Sequence, residues 1–158
     1  YDHYQPKIYR FVLIKVGRRE DAEDLTHQVF LRAWQNVSGY KDLGFPFSSW
    51  LYQIARNLVI DFYRTNKREL TLQEIGDDAL AGEPIVQLAV EKNFEIGRIQ
   101  NAIQKLKPEH QDVIIMRFVE DLSIIEVAAA LGKSEGAVRL IQHRALQELK
   151  KILKEKEV

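Results

Sequence analysis

Apolar residues recur at helical spacing along almost the whole chain, and no stretch alternates as a half-buried strand would. The pattern predicts an all-α protein. Ile8, Phe11 and Val12 fall at i, i+3 and i+4, and Gly17 stands where such a helix would stop. A second helix is expected over 20–37, with Ala22, Leu25, Val29, Ala33 and Val37 on one stripe and four acids early in it, at the positive end of its dipole. Residues 38–46, with Gly39, Gly44 and Pro46, break the pattern and read as a loop. A third helix is expected over 47–64. Composition then changes: residues 69–96 hold seven acids and one lysine, with Gly76, Gly82 and Pro84. Four further helical segments are expected over 85–107, 108–119, 123–131 and 135–153. The simplest architecture is two small helical domains, 1–68 and 85–158, joined by an acidic linker over 69–84.

Within the second domain the spacing is more specific. Ser123 and Glu126 form the sequence of a capping box, Gly132 supplies a left-handed residue for a tight turn, and Ser134 can cap the helix that follows. Counted from Ile124, the positions a helix-turn-helix buries are Val127, Leu131, Val138 and Ile141, and the close crossing falls on the small Ala128. The seam continues through Ala145, Leu149 and Ile152. The outward residues of the second helix are then Ser134, Glu135, Gly136, Arg139, Leu140, His143 and Arg144. In a major groove, an arginine there can pair with guanine and an apolar tip can meet a thymine methyl.

Charge qualifies this reading. Lys and Arg total 23, as do Asp and Glu, so the net charge is zero, which taken whole argues against a basic nucleic-acid surface. The total hides unlike parts. Residues 45–68 carry four cations against one acid, residues 123–158 carry a smaller basic excess, and the acidic stretch cancels both. Few phosphates can be neutralised, so the free chain should bind DNA weakly and depend on a partner to read it. The absence of cysteine excludes disulfides, thiol nucleophiles and Cys-ligated metals. Apolar runs such as Phe11–Ile14 and Val127–Leu131 are too short for a membrane span or signal-peptide core, so a cytoplasmic protein without membrane insertion is expected. The chain begins on Tyr1, not Met, and a preceding segment is expected.

Residues 40–68 interleave Tyr40, Phe45, Phe47, Trp50, Tyr52, Phe62 and Tyr63 with Lys41, Arg56, Asn57, Arg64, Lys67 and Arg68. Aromatic faces stack on unpaired bases at about 1–3 kcal/mol per base while cations follow phosphate, which is the chemistry of single-stranded nucleic acid. Ile54 and Leu58 read as core. Trp50 suits either role, packing below and presenting an edge above.

With both elements in place, three ordered motifs carry a family resemblance: AEDLTHQVFLRAW at 22–34, FSSWLYQIARNLVIDFYR at 47–64 and LKPEHQDVIIMRFVEDLSIIEVAAALGKSEGAVRLIQHRAL at 106–146. The chain resembles a bacterial RNA polymerase sigma factor of the extracytoplasmic-function (ECF, group IV) branch of the sigma-70 family. The resemblance implies a promoter-specificity subunit that binds core RNA polymerase and helps open DNA. Asp24, His27, Gln28 and Arg32 would dock on the clamp helices of the largest subunit, with the flap as a further contact. His27-Gln28 replaces the usual Gln-Glu, so one expected carboxylate is absent. The minus-ten element would be met by Tyr40, Lys41, Phe47, Trp50, Asn57, Asp61, Arg64, Lys67 and Arg68, which capture a flipped base. The minus-thirty-five duplex would be met by Lys133, Ser134, Glu135, Arg139, Leu140, His143 and Arg144. Leu140-Ile141 stands where Ser-Arg is common. An anti-sigma factor is an implied partner.

Two rival readings account for less of the chain. A stand-alone helix-turn-helix regulator with a sensing or dimerising N-terminal domain explains the second half but leaves the aromatic segment idle. An enzyme reading starts from Asp24 and His27, at the carboxylate-x-x-His spacing of di-metal bundles. It lacks the second such pair, and no phosphate loop or nucleophile–base pair appears, so no catalysis, metal or cofactor is expected.

Overall fold

The computed structural model describes residues 2–44, 46–73 and 94–155, and among these the regular elements are all helical. They are α1 (Gln5–Val16), α2 (Arg19–Gln35), α3 (Val37–Leu43), α4 (Phe47–Gln73), α5 (Phe94–Gln104), α6 (Pro108–Ile114), α7 (Ile124–Leu131) and α8 (Glu135–Glu155). Residues Ile115–Val119 prolong α6 as a π-helical turn.

The helices begin and end for local reasons. Gly17 takes φ +78° and closes α1, its N–H donating to the Leu13 carbonyl. Acids Glu20 and Asp21 occupy the first turn of α2, and buried Thr26 satisfies its hydroxyl by donating to Ala22 O at 2.6 Å. Gln111 donates to the carbonyls of Gln104 and Leu106, capping the end of α5 from inside.

Two expectations are corrected. Residues 38–46 are not a loop: Val37–Leu43 is helical, and the connection to α4 is only Gly44 to Pro46. Gly39 is tolerated inside that helix, its N–H bonded to Asn36 O at 3.0 Å, while Gly44 at φ +70° is the residue that ends it. The third helix does not stop at Arg64 but continues to Gln73, because no Gly or Pro interrupts 47–73 and the first linker residues are good helix formers. The helix expected over 85–107 is observed as Phe94–Gln104; its earlier part lies outside the described residues.

Apolar stripes of α1, α2 and α4 close the N-terminal half over Phe11, Val12, Ala22, Val29, Leu51 and Ala55. Phe11 and Tyr52 meet edge to face at 5.4 Å. In the other half α5, α6, α7 and α8 close over Ile103, Val113, Met116, Val127 and Val138. Both sets belong to one continuous core, with α4 laid against α7 and α1 against α5.

A charged seam runs along that junction. Arg10 of α1 holds Glu120 through two hydrogen bonds of 2.8 Å, and the Tyr52 hydroxyl donates to the same carboxylate at 3.0 Å. Lys15 of α1 and Arg56 of α4 share the two oxygens of Asp112, the arginine at 2.7 Å. Ser48 donates to the Glu126 carboxylate and Ser49 to the Glu126 carbonyl, each at 2.7 Å. Gln104 donates to the Ile14 carbonyl at 3.1 Å.

Candidate nucleic-acid interface

The helix-turn-helix is built as its spacing predicts. Ser123 and Glu126 complete a reciprocal capping box at 3.1 Å in each direction, Gly132 turns the chain at φ +67°, and Ser134 accepts from the Ala137 N–H at 3.1 Å. Val127, Leu131, Val138 and Ala128 are buried, and so is Ala145; Ile141 is only partly covered, as are Leu149 and Ile152. The π turn bears on this site too. It closes with the Glu120 N–H on the Ile115 carbonyl at 2.9 Å, and from within it Arg117 donates to Leu122 O at 2.7 Å and to Gln142 of α8 at 3.1 Å. Arg117 therefore braces the outward helix against the cap of its partner. Nothing in the sequence marked it, because its targets lie on other elements.

Lys133, Ser134, Glu135, Arg139, Leu140, His143 and Arg144 are all exposed. Two of the cations are already engaged: Lys133 pairs with Glu109 at 2.9 Å, and Arg139 pairs with Glu135 one turn earlier at 3.7 Å. Such surface pairs are weak and can exchange for phosphate or a base edge.

On α4, Asn57, Asp61 and Arg64 are exposed at i, i+4 and i+7, one face of one helix. An aromatic cluster stands at the head of this stripe. Trp50, only 6% exposed, lies under Tyr40 with ring centroids 5.1 Å apart and beside Phe47 at 5.7 Å, while Tyr4 closes on Phe47 at 5.3 Å. Of the two roles open to Trp50, this arrangement shows the packed one. Tyr4 was not expected in the cluster, since only the fold brings α1 to α4. The side chains of Lys41, Lys67 and Arg68, and Phe45 altogether, lie outside the described residues.

Asp24, His27, Gln28 and Arg32 are exposed along α2, and Gln28 donates to Asp24 at 3.0 Å. Beside them Trp34 is 80% exposed and Leu31 is exposed; Val37, expected on the buried stripe, is exposed too, because α2 ends at Gln35 and Val37 begins α3. The sequence held a signal for this surface: Leu31 and Trp34 lie on the His27 face, off the apolar stripe that enters the core. Among the described residues no group of three His, Asp or Glu could hold a metal, and no helix is long and apolar enough to cross a membrane.

The seam sets the electrostatics beside these surfaces. Burial pushes the Lys15 ammonium below the usual lysine value, against the opposing pull of Asp112. Burial, then Glu120, pushes the Tyr52 phenol up. For Glu126, burial acts upward but is outweighed by the hydrogen bonds from Ser48 and Ser123, leaving its carboxyl below the usual value.

Comparison with known proteins places these features in a family. Residues 1–69 match the family model described as Sigma-70 region 2, and residues 102–151 match Sigma-70, region 4. The ECF RNA polymerase sigma factor BldN of Streptomyces coelicolor is 35% identical over 155 residues, covering 97% of this chain, which spans 58% of that protein's length. The ECF RNA polymerase sigma factor SigW of Bacillus subtilis is 31% identical over 168 residues, covering 98% of this chain and 87% of the relative. In fold the chain is similar to the sigma factor RpoE of Bartonella quintana, solved in complex with the anti-sigma factor NepR: TM-score 0.75, 21% identity, 95% of this chain and 91% of that one. With both family regions in order along its length and ECF relatives across nearly all of it, the chain belongs to the sigma-70 family, in the ECF branch of RNA polymerase sigma factors.

Proposed function

We propose that this chain is a promoter-specificity subunit of RNA polymerase, with 1–68 serving polymerase docking and the minus-ten element, 69–84 as the acidic linker, and 85–158 serving the minus-thirty-five element. The observation that carries the proposal is the coexistence, in one sigma-family chain, of a helix-turn-helix with an outward Arg139–Arg144 face and a second helix whose exposed Asn57–Asp61–Arg64 stripe is headed by aromatic rings. The first suits duplex base edges, the second suits an unstacked strand.

Docking is assigned to the α2 face of Asp24, His27, Gln28 and Arg32, where the exposed rings and side chains of Trp34 and Leu31 supply apolar area that the missing carboxylate does not. Phe118 and Ile125, exposed on the C-terminal half, are assigned to the flap. Lys133, Ser134, Glu135, Leu140 and His143 complete the minus-thirty-five surface. Tyr40, Lys41, Phe47, Lys67 and Arg68 complete the minus-ten surface, with Trp50 supporting the Tyr40 ring from beneath. The chain works in the cytoplasm, catalyses no reaction itself and uses no cofactor. An anti-sigma factor is a partner, in keeping with the NepR-bound relative.

Reconstitution tests this reading. Added to core polymerase, the chain initiates transcription from a cognate promoter; tight operator binding by the free chain with no stimulation of core enzyme would identify a stand-alone regulator instead. In the holoenzyme, Trp50→Ala and Asn57→Ala weaken promoter opening more than duplex binding, and normal opening by both would remove the minus-ten assignment.

A further inference from the structure

Along α8 the side chains divide by direction. At about 3.6 residues per turn, Val138 and Gln142, two residues before Leu140 and two after it, each stand about 160° round the helix from it. Val138 is fully buried, and Gln142 accepts the hydrogen bond from Arg117 at 3.1 Å, so the roll of the helix is fixed from its inner side. Leu140 is thereby left at the crest of the outward face, 49% exposed.

An exposed leucine by itself is ordinary. This one is distinguished by its surroundings. Arg139 precedes it, and His143 and Arg144 follow one turn on, all exposed, so an apolar tip is ringed by groups suited to phosphate and base edges. Gly136, one turn before, lies in regular helix, and a Cβ there would meet nothing within 4 Å. Neither a turn nor packing calls for a glycine at this position, where it costs helix stability relative to alanine. What the missing side chain provides is a bare strip of backbone beside Leu140, over which a base pair can approach closely.

The same surroundings narrow what the leucine meets. A carbon tip reads no donor or acceptor atom; in the major groove the carbon group that a base pair presents is the C5-methyl of thymine. A protein partner would have to cover the flanking cations as well, whereas DNA supplies the anions they pair with.

We propose that Leu140 is a specificity-determining residue: in the holoenzyme it packs on the C5-methyl of a thymine in the minus-thirty-five element, with Gly136 clearing the approach. This rests on the assignment of α8 to that duplex. The contact is particular to this chain, since the serine common at this position among the sigma factors it resembles ends in a hydroxyl.

The test uses the holoenzyme formed by the full chain with core polymerase. Promoter duplexes randomised over both elements are selected for binding, and each thymine of the selected upstream element, on either strand, is then replaced singly by deoxyuridine, which removes the methyl and keeps the base pairing. One replacement lowers affinity about fourfold, the worth of one methyl buried against carbon. At that position Leu140→Ala holoenzyme binds thymine and deoxyuridine equally. An upstream element selected without thymine, a wild-type holoenzyme indifferent to every replacement, or a Leu140→Ala holoenzyme that still discriminates at the sensitive position would overturn the contact. So would a Leu140→Ala chain that binds core polymerase less well before DNA is added, which would set the leucine against protein. The deoxyuridine scan of the wild-type protein needs no variant to fold. Failure of the wild-type holoenzyme to select any upstream sequence removes the assignment of α8 and the contact with it, whereas a selected element indifferent to methyl loss removes the contact alone.

Discussion

Asp112 serves two cations with one carboxylate, and its partners are not equivalent. Lys15 is almost completely buried, whereas Arg56 keeps part of its side chain in water. Asp112→Ala strands a buried ammonium, and removal of one partner of a buried pair costs about 3–5 kcal/mol. Lys15→Met leaves Asp112 paired with Arg56 and should cost far less, a contrast that urea denaturation of the two variants measures. Gly17 has a different constraint. An alanine Cβ there would lie 2.9 Å from the Gln104 amide nitrogen, which can swing aside, but the backbone at φ +78° cannot adjust as easily. Gly17→Ala should therefore lower stability by about 1–2 kcal/mol, the left-handed penalty, seen as a drop in Tm. The glycine was legible in the sequence as a helix stop. Lys15, Asp112 and Arg56 were not, since a charged side chain carries no mark of burial and its partners here are 97 and 56 residues away.

The short helix α7 shows one side chain serving two levels of structure. Glu126 accepts the Ser123 N–H on one oxygen and the Ser48 hydroxyl on the other, so it is both capping box and seam. Ser123→Ala should cost about 1 kcal/mol through the cap alone, measured by urea denaturation. Because the folded Glu126 carboxyl titrates below its ordinary value of 4.5, the unfolded chain binds more protons in that interval. Its contribution is complete above the ordinary value and is lost as pH falls through the folded one. Acid unfolding of Glu126→Gln should show a shallower decline in that window than wild type. The capping box could be read from residue spacing, because it is local. The π turn could not: it delivers Glu120 to Arg10 and Tyr52, partners that lie on distant helices.

Across the whole molecule the balanced charge becomes a statement about access. Two of the cations on the outward face of the helix-turn-helix are paired with acids, and the acidic residues of 69–96 add repulsion for DNA. Free chain should accordingly bind promoter duplex weakly, with a log affinity against log salt slope no steeper than about −3, at about −0.9 per phosphate neutralised. A filter-binding salt series checks this, and a steep slope would show a DNA surface larger than the one assigned here. The sequence by itself determined most of the helices, the helix-turn-helix and the family, because capping, turn chemistry and apolar periodicity act over a few residues and survive any arrangement of the parts. Only the tertiary structure decided that Trp50 packs under Tyr40, that 37–43 is helical and that the two halves meet through buried charge. Those outcomes depend on which desolvated groups find partners from distant segments, and complementarity of that kind has no local spacing to announce it.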